Sequence, residues 1–107
     1  MESDSAAAGT GNADITINLS YGTSHILKKV TFYAPLADPS NAFNLLTIYD
    51  GIAGSGTALT GALHIGTLPN SKVDFNEGIT LSNDSVGFRI SRAESTSVFM
   101  TAWYVYN

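Results

Sequence analysis

Ser97-Val98-Phe99-Met100-Thr101-Ala102-Trp103-Tyr104-Val105-Tyr106 is the stretch from which the fold can be read. It holds the only tryptophan and two of the five tyrosines, and it contains neither glycine nor proline. Such β-branched and aromatic residues suit a pleated, buried surface, so this is a central strand. Side chains alternate across a strand, which puts Val98, Met100, Ala102, Tyr104 and Tyr106 on one face and Phe99, Thr101, Trp103 and Val105 on the other. Both faces are apolar, whereas an antiparallel strand with one wet face alternates apolar with polar. In a two-layer sandwich one of these faces meets the core and the other is left over. The lone indole is large, which assigns Phe99, Trp103 and Val105 to the core, although the reverse assignment would serve the argument equally. Met100, Tyr104 and Tyr106 are then the expected subunit interface, where a tyrosine ring can be buried while its hydroxyl finds a partner.

Working outward, the same alternation recurs. Ile15, Ile17 and Leu19 alternate with Thr16, Asn18 and Ser20, the pattern of a half-buried strand. His25 to Tyr33 reads as the next strand, with Lys28 and Lys29 marking a wet patch. Ala34 to Asn41 contains Pro35 and Pro39 and reads as a corner. Ala42 to Asp50 is again apolar on both faces and stops at Gly51. Gly51 to Gly61 has four glycines and reads as a flexible hairpin loop. Further short strands follow at Ala62–Thr67, Val73–Phe75, Ile79–Leu81 and Val86–Ile90, separated by turn residues. About eight short strands and no helix predict an all-β, antiparallel β-sandwich, most simply of jelly-roll type. The 107 residues suffice for one such domain, expected over residues 14–107.

Residues 1–13 differ from the rest. They carry neither the basic nor the apolar region of a secretory signal, and no run in the chain approaches a membrane span, so a soluble protein is expected. Small and polar, the segment offers too little apolar surface to offset the entropy of ordering it. It is expected to be a flexible N-terminal arm, mobile alone and ordered only against a partner.

Composition excludes several classes of function. Cysteine is absent, which removes disulfides, thiol nucleophiles and thiolate metal sites. The net charge is −4 and only five residues are Lys or Arg, too few to neutralise several phosphates, so nucleic acid is not an expected partner. Charged residues make up 13% of the chain, about half the usual share, which leaves a neutral, turn-rich surface.

No catalytic constellation assembles. His25 and His64 lie on separate predicted strands and read as strand-surface residues. Gly54-Ser55-Gly56 sits in a loop without the strand-to-helix step of a nucleophile elbow. Asp74 and Glu77 could form a carboxylate pair, but at a turn and without a cleft. Asp74 to Gly78 also resembles the start of a calcium loop, yet Gly78 and Ser85 stand where further acidic ligands would be needed. Asn18 and Asn83 begin Asn-x-Ser triplets that read as chance matches. No cofactor or metal is expected.

Leu46-Thr47-Ile48-Tyr49-Asp50-Gly51, the loop with Gly56-Thr57-Ala58-Leu59, then Val73-Asp74-Phe75 with Gly78-Ile79, and the aromatic last strand together resemble small structural proteins of tailed bacteriophages. The similarity is to head decoration or cement proteins and covers about Phe43 to Tyr106. It implies a non-enzymatic virion protein that trimerises on a capsid, bridges major capsid proteins and carries no catalytic residues. The alternative expectation is a carbohydrate- or receptor-binding sandwich of a tail or fibre, with Tyr21, Tyr33 or Tyr49 stacking on sugar rings.

Overall fold

A computed structural model describes residues 1–8, 13–33, 45–64, 70–91 and 98–107. The proline-bearing corner and the segment leading into the last strand fall outside these residues, as does the His64 side chain. Nine strands are present among the described residues: β1 (Glu2–Ala8), β2 (Ala13–Asn18), β3 (His25–Tyr33), β4 (Leu45–Asp50), β5 (Thr57–Ala58), β6 (Leu63–His64), β7 (Asn70–Thr80), β8 (Ser85–Ser91) and β9 (Val98–Tyr106).

One sheet has the order β1-β9-β3-β7 and the other β2-β8-β4-β5, with β6 also pairing to β4. Every pairing is antiparallel, and the pairs are nested: first strand with last, second with second to last, third with β7, fourth with β5 and β6. A long two-stranded ribbon folded over on itself gives this order, and the result is a jelly roll, as the strand pattern predicts. The two glycine-poor, doubly apolar strands, β4 and β9, each take a neighbour on both sides.

The core lies between the sheets. From one sheet it receives Leu27, Val30 and Phe32 of β3 and Val98, Met100, Ala102 and Tyr104 of β9; from the other, Ile17, Leu46, Ile48, Val86, Phe88 and Ile90. The expected faces of β9 are therefore exchanged. Met100 and Tyr104 are 0% exposed inside the chain's own core, whereas Phe99 is 50% exposed and Trp103 half-buried on the outside. Size alone is a poor guide for an indole, which also needs a partner for its N–H. Outside, Trp103 Nε1 donates to Thr31 Oγ1 at 3.0 Å, and Lys29 Nζ lies 5.1 Å from the ring centroid.

β3 departs from strict alternation. Its register against both neighbours shifts between Leu27 and Lys29: against β9 Lys28 is the extra residue, whereas against β7 the excess is on the partner, with Phe75 to Gly78 opposite Lys28. This bulge lets Leu27 and Val30, three positions apart, both face inward. The strand opposite bends in step: Asn76 (φ 57°) and Gly78 (φ 104°) interrupt β7, so the expected strands at Val73–Phe75 and Ile79–Leu81 are parts of one. A Cβ on Gly78 would come within 2.4 Å of Ile26 Cγ2, so the kink and the tight packing select glycine together.

The N-terminal segment corrects the expectation of a free arm. Glu2 to Ala8 pair in register with Tyr104 to Val98, which makes β1 an edge strand of the sheet. The argument from composition weighed side-chain burial alone, but an open strand edge offers backbone partners to any sequence. Part of the glycine-rich loop is likewise paired, through Thr57 and Ala58 opposite Asp50 and Tyr49.

Candidate interaction surface

The outward side of the β1-β9-β3-β7 sheet is where β9's second apolar face ends up. Phe99 stands opposite Tyr33 on β3, with ring centroids 6.5 Å apart, and Val105 stands opposite Ile26. Between them lie the Thr101–Thr31 and Trp103–Lys29 pairs. Phe99, Tyr33 and Ile26 are exposed, and a depression of about 430 Å³ lined in part by Ile26, Thr80, Val105 and Tyr106 continues the face. All three lysines of the sequence, Lys28, Lys29 and Lys72, lie on β3 and β7 of this sheet. Lys28 Nζ donates to the Glu77 carbonyl at 2.7 Å.

The opposite sheet presents a different exterior, with Asp14, Thr16, Asn18, Arg89 and Ser91 exposed. Arg89 donates twice to the Asp14 carboxylate, at 2.9 and 3.0 Å. That bidentate bond holds Asp14 below the usual carboxylate range and raises Arg89 further. An exposed pair of this kind contributes little to stability. The turn after β4 folds back over Gly87, where a Cβ would meet Gly51 O at 2.4 Å and Ala53 N at 2.5 Å. One exterior is thus polar and partly covered by its own loop, while the other carries exposed aromatic and aliphatic side chains at two ends with threonines and lysines between them.

The three residues expected at the interface separate. Met100 and Tyr104 are core, and Tyr106, 46% exposed at the end of β9, stacks on Tyr21 with centroids 5.8 Å apart. Of the expected sugar-stacking tyrosines, Tyr21 and Tyr33 are exposed, whereas Tyr49 is half-buried with the Arg89 guanidinium 5.9 Å from its ring.

A polar network lies where Tyr104 reaches the end of the core. Its hydroxyl donates to Asp4 Oδ2 at 2.5 Å and accepts from the Tyr21 N–H at 3.3 Å. Asp4 also accepts from the backbone and hydroxyl of Ser20, at 2.9 and 2.8 Å. His25, expected on the strand surface, is buried because its parity matches Leu27. Its Nε2 is 2.8 Å from the Tyr21 carbonyl, its Nδ1 3.4 Å from Asp84 Oδ1, and its ring stands edge-on to Tyr104 with centroids 5.5 Å apart. Ser20 Oγ donates to Asp4, so no serine–histidine pair forms here. The network ties β1, the β2–β3 turn and β9 together.

Two members titrate abnormally. Burial pushes the Tyr104 phenol up, the Asp4 hydrogen bond adds to this, and the result is about 12. Desolvation works to raise Asp4, but the bonds from Tyr104 and Ser20 outweigh it and hold the carboxyl below its ordinary value. The depressed Asp4 contributes stability that is present above the unfolded carboxyl range and is lost as pH falls through the folded value. The raised Tyr104 contributes stability that is present below about pH 10 and is lost as pH climbs towards about 12. The alkaline loss amounts to roughly 2–3 kcal/mol, at 1.36 kcal/mol per unit. Urea unfolding of wild type and Tyr104→Phe should therefore converge above pH 10, and Asp4→Asn should flatten the acid limb. Parallel profiles for Tyr104→Phe would contradict the alkaline assignment.

The remaining candidates have structural explanations. Asp74 Oδ1 accepts from the Asn76 N–H at 2.9 Å, an Asx turn that supports the left-handed Asn76, and Asp74 and Glu77 are both exposed. Among the described residues no three His, Cys, Asp or Glu side chains gather as a metal site. Ser55 and Gly56 direct their N–H groups to the Ile52 carbonyl in a tight turn. Asn83 donates its amide to the Asp50 carboxylate at 3.2 Å, and the backbone N–H groups of Ser82 and Asn83 donate to the same carboxylate at 2.8 and 3.1 Å. Asp50 is 6% exposed and locks the turn before β8 to the end of β4. Reading the sequence missed Asp4 and Asp50. Asp50 left a trace, as an acid on the same parity as Leu46 and Ile48; Asp4 left none.

Fold and surface define an all-β jelly-roll sandwich with exposed aromatic side chains on one exterior. Among solved structures, the crystal structure of FlhE is similar to it, with a TM-score of 0.50 and 11% identity over 98% of this chain and 95% of that one. At that identity the likeness concerns the fold alone. No protein-family model and no curated protein matches the chain.

Proposed function

We propose that the chain is a non-enzymatic structural protein of a virion, a decoration or cement protein that stabilises a head by bridging major capsid subunits. The observation that carries this reading is the outer face of the β1-β9-β3-β7 sheet, with Phe99, Tyr33 and Ile26 exposed and Trp103 and Val105 half-buried. Exposed aromatic and aliphatic side chains gathered on one sheet face mark a contact surface. The phage particle, the virion location and the trimer come from the sequence resemblance. Jelly rolls serve in viral capsids and equally in lectins, so the fold is compatible with the role without selecting it.

Wild-type protein should co-purify with particles in stoichiometric amount and self-associate in solution. Phe99→Asp should keep its melting temperature within a few degrees while binding falls about tenfold or more, 1.4 kcal/mol being one factor of ten. Absence of the wild type from particles would remove the cement role. Unchanged association of Phe99→Asp would remove this face as the contact.

The exposed Tyr33–Phe99 and Tyr21–Tyr106 pairs favour a second reading, a carbohydrate- or receptor-binding module. Glycan binding by the wild type that is lost in Tyr33→Ala, with no association with particles, would select it.

A further inference from the structure

β1 is a poorly anchored strand in a well-built seat. It runs Glu-Ser-Asp-Ser-Ala-Ala-Ala and, among its described side chains, places Ala6, partly buried, against the core. What holds it is the antiparallel ladder to β9, the buried-side bonds of Asp4 and an outward hydroxyl contact from Ser5. The seat, by contrast, belongs to the body of the fold. Tyr104 is wholly buried with its hydroxyl aimed at the Asp4 carboxylate, and the Ser20 N–H and hydroxyl converge on the same group. A carboxylate taking three donors fixes the register of the strand as well as its presence, because a slip by one residue turns Asp4 to the other face. Next to this seat, Ser5 Oγ and Thr101 Oγ1 meet at 2.8 Å on the outward side.

We infer that the β9 edge with its carboxylate seat is a strand-acceptor site, and that its occupant in assemblies is the Glu2–Ala8 strand of a second copy of this chain. The seat reads a backbone edge and one acid at a set position, and the segment that fits both is this chain's own β1. A second copy presents the same segment with the same Asp4. Exchange preserves every bond in the ladder and the seat, and forfeits almost no apolar burial. Such exchange of an identical element is a low-cost route to association. In dilute solution a chain's own strand wins by effective concentration; crowding of copies shifts the balance towards exchange. The inference stands independently of the proposed virion role.

The chain has no cysteine, so an engineered pair reports without interference. Ser5→Cys and Thr101→Cys would place thiols on directly opposed cross-strand residues, at a separation a disulfide can span. Both substitutions in one full-length chain should close an internal disulfide. Failure to close would overturn the register on which the site rests. Full-length Ser5→Cys and Thr101→Cys chains, mixed at high concentration under mild oxidation, should then give a disulfide heterodimer on a non-reducing gel. Its yield should rise with concentration and exceed, by about tenfold, that of Ser3→Cys mixed with Thr101→Cys, which is two residues out of register. Closure in the double variant with no heterodimer, or equal yields with the two partners, would show that β1 serves only its own chain.

Discussion

Tyr104→Asp should unfold the domain. Tyr104 is fully buried, its ring packs edge-on against His25, and its hydroxyl donates to Asp4. Truncating a buried aromatic ring costs roughly 3–5 kcal/mol through lost transfer energy and the cavity left behind. The new carboxylate would add a charge without a donor, facing the Asp4 carboxylate, while the Tyr21 N–H would lose its acceptor. The native state of a domain is worth about 5–15 kcal/mol in all, so these costs consume most of it. Far-ultraviolet circular dichroism should show no cooperative melt above room temperature. The same charge at Phe99, five positions earlier and on the opposite face, should leave the fold intact. A Tyr104→Asp chain that melts within a few degrees of wild type would mean that β9 turns its other face to the core.

Asp50→Ala should rank next. Its carboxylate accepts from the N–H groups of Ser82 and Asn83 and from the Asn83 amide, and is nearly inaccessible to water. A buried donor left unpaired costs roughly 1–3 kcal/mol; because Ser82 and Asn83 are exposed enough for water to replace part of the loss, the total should be on the order of 3 kcal/mol. For a domain of this size that is a fall in melting temperature of roughly 10–20 °C. Asp50→Asn keeps one carbonyl oxygen and should lose about half as much. A fall of only a degree or two for Asp50→Ala would remove the carboxylate as the link between β4 and the β7–β8 turn.

These two residues show how unevenly the site could be read beforehand. Tyr104 was visible as one of two candidates for the core, because its strand is apolar on both faces. The choice between faces turned on Trp103, and there the hydrogen-bonding need of the indole outweighed its size. His25 followed the same logic in reverse: its polarity suggested a surface, while its parity with Leu27 buried it. Asp4 could not be found at all, since its neighbours are small or polar with no bulky apolar alternation and its partners, Ser20 and Tyr104, are far away in sequence.

Alternation and turn residues determined by themselves that the chain is all-β, roughly where β2, β3, β4, β8 and β9 lie, that β9 is central and that β4 is apolar on both faces. Those properties are local, written in neighbouring residues. Tertiary structure alone decided which face of β9 is the core, how the bulge at Lys28 resets β3, that Glu2–Ala8 completes a sheet, and which carboxylates are buried. A repeat of period two is symmetric between its faces, and an open edge accepts backbone whatever the side chains; only the packing of distant strands breaks the first symmetry and fills the second.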